Sequence, residues 1–150
     1  MKTLHSLVAV VLMTLVSLAS AAEGLVIVKS PYSVMETMTR FEDVVKKRGL
    51  TVFSRIDHAA GAAKIGKSLR ATQVITFGNP QGGTPFMECA QTVGIDLPLK
   101  ALIWEDGDSQ VWLGYNDPLY LAQRHGVAQC PVAGKLRQAL AGLAEAAVAS

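Results

Sequence analysis

The run from Phe77 to Pro118 constrains this chain more than any other segment. It places two proline-initiated helix starts on either side of a strand hairpin. Thr84 is a good N-cap, and Pro85 suits the first helical position, where a missing N–H costs nothing. Asn116 or Asp117 followed by Pro118 repeats the signal. Between them, Lys100–Glu105 and Gln110–Tyr115 read as strands joined by the turn Asp106-Gly107-Asp108, with Trp104 and Trp112 opposite each other. Gly78 to Gly83 reads as a turn. The helix after Thr84 is expected to reach about Val93 and stop at Gly94. A chain that sets helices around antiparallel hairpins belongs to the α+β class.

The flanking segments agree. Leu25–Val28 is a short strand. Ser33 and Glu36 form a capping box, and Val34, Met38, Phe41 and Val45 recur at helical spacing up to Gly49. Leu50–Ile56 reads as a second strand, with Leu50, Val52 and Ile56 on one face and Phe53 on the other. Asp57-His58 leads into small residues at 59–63, and Lys64–Leu69 is a weak helical turn or a loop. Ala71–Phe77 is a third strand. A C-terminal helix over about 132–149 carries Leu136, Leu140, Leu143 and Ala147 in one stripe. The expected architecture is a two-layer α+β sandwich. Its mainly antiparallel sheet of about five strands carries helices on one face. Such a sheet leaves edges and a face open, and a homodimer would cover both.

Residues 1–22 read as a secretory signal peptide. Lys2 and His5 begin it, Leu7–Leu18 form an apolar core, and small residues offer cleavage after Ala21 or Ala22. The apolar run is shorter than the roughly 20 residues that span a bilayer. An uncleaved N-terminal anchor is the other reading. Residues 23–150 then form a single periplasmic or secreted domain with no stable membrane span after cleavage. The net charge of +2 falls to +1 when Lys2 leaves. The densest basic cluster, Lys46-Lys47-Arg48, sits where cations complement a helix dipole, so nucleic-acid binding is not indicated. Cys89 and Cys130 make an even count in an exported chain, which suggests one disulfide; two buried thiols are the alternative.

An ordered set of short motifs adds to this. Phe77-Gly78-Asn79-Pro80, Gly83-Thr84-Pro85, Asp96-Leu97-Pro98-Leu99-Lys100, Trp104-Glu105-Asp106 and Tyr115-Asn116-Asp117-Pro118 together resemble the domain-of-unknown-function 302 family. Ile56-Asp57-His58-Ala59-Ala60-Gly61-Ala62 is similar to that family's exit from the second strand. The resemblance runs from about Leu25 to Val127. It implies a compact β-α-β sandwich with a TATA-binding-protein-like outline, and dimers. It implies no DNA binding, because function belongs to sites and not to folds, and it carries over no catalytic residue.

Three constellations could carry chemistry. The glycine-rich turn before Thr84 could contact an anion or ligand, although Pro85 removes a donor and no Walker lysine is present. Asp57 with His58 could act as an acid–base pair, or could simply cap a helix. Met87, Cys89, His125 and Cys130, with or without His58, form a soft-metal or redox set whose spacing matches no recognised motif; a disulfide would dissolve it. Trp104, Trp112 and Tyr115 line a pocket or a dimer face, or pack in the core. The function expected is a non-catalytic binding module for a small ligand or a protein partner. Its site is expected between sheet and helices, near His58, Asn79, Gly83, Thr84 and Trp104. The alternatives are an enzyme using Asp57 and His58, or the soft-metal protein. No cofactor is specified.

Overall fold

In the computed structural model, which describes residues 22–150, five strands form one antiparallel sheet in the order β1-β5-β4-β3-β2. These are β1 (Leu25–Ser30), β2 (Thr51–Asp57), β3 (Thr72–Gly78), β4 (Leu99–Glu105) and β5 (Val111–Asn116). Residues 1–21, and with them nearly all of the 1–22 signal-peptide reading, lie outside the described residues. The helices are α1 (Val34–Lys47), α2 (His58–Lys64), α3 (Pro80–Cys89), α4 (Pro118–Arg124) and α5 (Pro131–Val148), with a 3-10 turn at Gln91–Asp96. Among the described residues no helix is long and apolar enough to cross a membrane.

The two-layer sandwich follows from the apolar stripes. Met38, Phe41 and Val45 of α1 and Leu140, Leu143 and Ala144 of α5 bury against Ile75, Phe77, Ile103 and Leu113 of the sheet. Phe41 meets Phe77 edge-to-face at 5.2 Å between centroids. Ser33 Oγ accepts the Glu36 N–H at 3.2 Å and fixes the start of α1. Gly49, at φ +73°, turns the chain out of it. The buried hydroxyls of Ser30 and Thr37 meet at 2.6 Å and tie β1 to α1. Arg40 donates to the carbonyls of Ala147 and Ala149, at 2.8 Å and 2.6 Å, and so satisfies the last turn of α5.

A smaller core holds the remaining elements. Phe86 of α3, Val93 of the 3-10 turn, Leu121 and Ala122 of α4 and Ala133 of α5 pack together. Cys89 and Cys130 are joined by a disulfide beside them, with Cα atoms 6.0 Å apart.

Three local expectations are corrected. First, β2 does not keep Leu50, Val52 and Ile56 on one face. A β-bulge lies between Val52, which pairs with Phe77, and Ser54, which pairs with Thr76. One extra residue switches the parity of the strand. Val52 therefore packs on the helical core, while Ile56 pairs with Val74 on the other face and is 47% exposed.

Second, the helix assigned to Thr84-Pro85 begins earlier, at Asn79-Pro80. Asn79 Oδ1 accepts the Gly82 N–H at 2.9 Å and Pro80 takes the first helical position. Pro85 lies inside the helix. Its missing N–H spares only the carbonyl of Gln81, an exposed residue that water can serve. Gly78–Gly83 is thus mostly helix, and α3 ends at Cys89 instead of near Val93. Third, the weak helical turn lies at His58–Lys64 (α2) and not at Lys64–Leu69; Asp57 caps it, which is the capping alternative given for that pair.

The face of the sheet away from α1 and α5 carries Ile27, Lys29, Val74, Leu102, Trp104 and Trp112. Trp104 and Trp112 are register partners, and a Cβ on Gly114 would lie 3.0 Å from the Trp104 ring. Gly114 lets that indole lie flat on the sheet. Trp112 Nε1 donates to Asp106 Oδ2 at 2.7 Å, and Lys29 Nζ sits 5.5 Å over the Trp112 ring.

Candidate functional site

An apolar cleft of about 480 Å³ opens where one end of the sheet meets α3 and α5. Antiparallel pairing brings the start of β2, the end of β3 and the start of β4 to that end: Thr51 pairs with Gly78, and Phe77 with both Val52 and Leu99. The sheet side supplies Leu50, Phe53, Phe77 and Leu99, α3 supplies Gly82, Gly83, Thr84 and Met87, and α5 supplies Leu136, Ala139, Leu140 and Leu143. Gly94, Leu97 and Pro98 close a third side. The Leu97–Pro98 bond is cis.

The bulge matters to this site. It brings Phe53, 57% exposed, to the cleft rim. Gly82 matters through its size: a Cβ there would lie 3.2 Å from Leu136 Cδ2, so a side chain would press the two walls apart. Asn79 and Thr84 are the polar side chains of the lining, and it contains no charged one. The Asn79 carbonyl oxygen is engaged by the helix it caps. The cleft can therefore enclose a neutral apolar group, and its size falls within the range of small-molecule sites. It offers no acid, base or nucleophile pair.

Groups with displaced proton affinity lie elsewhere. Glu42 is held below the ordinary glutamate value by the hydrogen bond from Lys46, at 2.6 Å, with Arg55 adding to it. Asp106 is lowered by the Trp112 indole N–H and by backbone N–H groups of the hairpin turn. Burial raises the Tyr115 hydroxyl, and Asp117 pushes the same way. None of the three lines the cleft.

The five expected ligand residues divide. Asn79, Gly83 and Thr84 line the cleft; His58 and Trp104 do not. The pairing explains the split. Asp57, next to His58, pairs with Gln73, and Trp104 pairs with Thr72, so both sit at the opposite end of β3 from Gly78. Asp57 spends its oxygens away from His58: Oδ1 accepts the Ala60 N–H at 2.9 Å and Oδ2 accepts from Gln73 Nε2 at 3.2 Å. It caps α2 and anchors it to β3.

The soft-metal set dissolves as well. Cys89 and Cys130 are bonded to each other, and Met87 lines the cleft. His125 belongs to a different cluster: its Nε2 lies 2.6 Å from Asp96 Oδ2 and its Nδ1 3.0 Å from Thr92 Oγ1, while Arg124 reaches Asp96 Oδ1 at 3.1 Å. This clasp ties the 3-10 turn to the end of α4. Among the described residues no group of three His, Cys, Asp or Glu side chains is placed to hold a metal ion.

Leu50, Phe53, Leu97 and Leu136 are cleft residues that sequence reasoning missed. The partial signal was a leucine-rich strap around Pro98 and an apolar residue breaking the alternation of β2.

The model of the family described as domain of unknown function DUF302 matches residues 26–146. The chain is 52% identical over 104 residues to a protein named fluoride-specific ion channel FluC 1 from Brucella suis, a match that covers 69% of this chain and 41% of that protein. It is equally similar to fluoride-specific ion channel FluC 2 from Brucella melitensis, of which 38% is covered. The chain thus spans about two fifths of the length of these curated relatives. Its fold matches the crystal structure of an uncharacterized conserved DUF302 protein from Bacillus stearothermophilus, with a TM-score of 0.76 and 20% identity over 84% of this chain and 99% of that one.

Proposed function

From the premise that the chain belongs to the DUF302 family, we propose that it is a non-catalytic binding module for a small, neutral, apolar ligand. The observation that carries this reading is the cleft: about 480 Å³, walled by leucine, methionine and phenylalanine, with no charged side chain in its lining. Aliphatic walls with one flexible methionine suit an alkyl or alicyclic group, whose binding draws on burial of apolar area. Thr84, a polar side chain of the lining, would meet a single polar function of the ligand. The signal-like sequence of residues 1–22 and the disulfide support export as the setting, either to the periplasm or outside the cell. A homodimer would cover the open face around Leu102, Trp104 and Trp112, leaving the cleft free on the other side of the sheet.

Titration with Nile red, a neutral apolar dye, tests the site. Ala139 is exposed on α5 and lines the cleft, so Ala139→Trp fills it without disturbing the core. Dye binding is expected on the natural chain and lost in Ala139→Trp, while Leu102→Thr on the open face leaves it unchanged. Loss in Leu102→Thr and persistence in Ala139→Trp would move the site to the open face and refute the assignment.

A second reading comes from the relatives. The proteins that share 52% identity with this chain are named as fluoride channels and are more than twice the matched length. In this reading the domain works beside an ion channel, as an attached or separate accessory. Co-purification of tagged chain with a fluoride channel from the same membranes would support it. Absence of such a complex under crosslinking would count against it.

A further inference from the structure

We propose that the Cys89–Cys130 disulfide controls the cleft: the oxidised chain holds an apolar ligand there and the dithiol form releases it. The inference rests on the reading of the cleft as a binding site. The bridge joins the two facing walls. Cys89 is the last residue of α3, which supplies one wall, and Cys130 caps α5, which supplies the other.

The α3 wall is weakly built without that bond. It contains Gly82, Gly83 and an internal Pro85, all poor helix formers. Phe86 is its one buried side chain. Its first turn is fixed by the Asn79 cap where β3 ends, so the far end rests on Phe86 in the small core and on the bridge at Cys89. The His125–Asp96 clasp ties the following 3-10 turn to α4, not to the α5 wall. Gly94 and Leu97 of the third wall belong to that clasped turn, so it is the α3 wall that the bridge holds to α5. A wall with few contacts of its own belongs to the low-stability end of a structure, where a local tie sets its population.

A small dithiol would reach the bond at Cys89, which is half-buried, whereas Cys130 is buried. The bridge lies in a surface groove with Gln81, Pro85, Glu88 and Lys135. The thiolate of dithiothreitol attacks one sulfur, the Cys89–Cys130 bond breaks, and a mixed disulfide forms. The second dithiothreitol thiol then closes its own ring and expels the cysteine. Two electrons and two protons pass from the dithiol to Cys89 and Cys130. Ligand and bridge are linked reciprocally, so a ligand that prefers the oxidised form must also oppose its reduction.

The experiment compares Nile red binding to the oxidised chain, to the same chain after dithiothreitol, and to Cys89→Ala/Cys130→Ala, with far-ultraviolet circular dichroism to check the fold. Affinity is expected to fall about tenfold or more on loss of the bridge, within the usual span of coupling between sites. In the oxidised protein, saturating Nile red is expected to slow reduction of the bridge. Equal affinity with and without the bridge in folded protein would overturn the coupling and leave the cleft as a site. Failure of the oxidised chain to bind dye would overturn both readings. Where the reduced chain has lost its fold, reduction of the oxidised chain decides: protection by the dye supports the coupling, and an unchanged rate overturns it.

Discussion

Replacing both bridge cysteines by alanine gives the most quantitative check on how this domain holds together. Cys89 and Cys130 are 41 residues apart, and closing a loop of that length removes about 4 kcal/mol of conformational freedom from the unfolded chain. The local helix cannot make up that loss. Gly82 and Gly83 each cost about 1 kcal/mol relative to alanine, and an interior proline such as Pro85 costs about 3. Burial of Phe86 returns roughly 1.5–3 kcal/mol. The tether therefore outweighs any single local contact of α3 in the stability of the domain. Urea unfolding of oxidised and Cys89→Ala/Cys130→Ala protein should differ by about 4 kcal/mol, with a melting temperature lower by about 10–20 °C. A difference below about 1 kcal/mol would refute the reasoning, because Phe86 and the Asn79 cap would then hold α3 without the tether.

Other expected outcomes follow from named contacts. Asn79→Ala removes the cap of α3; it should cost about 1 kcal/mol in urea unfolding and weaken Nile red binding, since the capped turn is also the cleft wall. Ser30→Ala leaves the fully buried Thr37 hydroxyl without its partner and should cost roughly 1–3 kcal/mol; adding Thr37→Val should recover part of it in thermal melts. Glu42 has a folded pKa below its unfolded value, so its contribution is present above the ordinary glutamate pKa and is lost as pH falls through the folded one. Glu42→Gln should flatten that part of the acid limb in a stability-versus-pH series.

Much of this fold is legible in local chemistry. Ser33 and Glu36 mark the start of α1 because a side-chain oxygen there meets an orphan N–H, and that bond is present. Asp117-Pro118 marks α4 for the same reason, with Asp117 Oδ1 accepting the Leu119 N–H at 2.9 Å. Trp104 and Trp112 face each other because a short turn fixes hairpin register. Where two local signals compete, sequence alone does not choose. Asn79-Pro80 and Thr84-Pro85 are both cap-and-proline pairs, and the packing of Phe86 and the bridge at Cys89 select the longer helix.

The bulge at Phe53 shows in the sequence only as an apolar residue out of step with β2, yet it decides which residues reach the cleft. The cleft joins Leu50, Leu97 and Leu136, which lie far apart in the chain and come together only when β2, β4 and α5 assemble. His125 and Asp96 meet for the same kind of reason: two elements distant in sequence are set side by side by a shared core.

Native mass spectrometry of the chain as purified, beside Ala139→Trp, tests the central claim most directly. A binding cleft predicts a small neutral adduct on the natural chain that is absent from the filled variant. Bare polypeptide in both, or the same adduct on both, would contradict it.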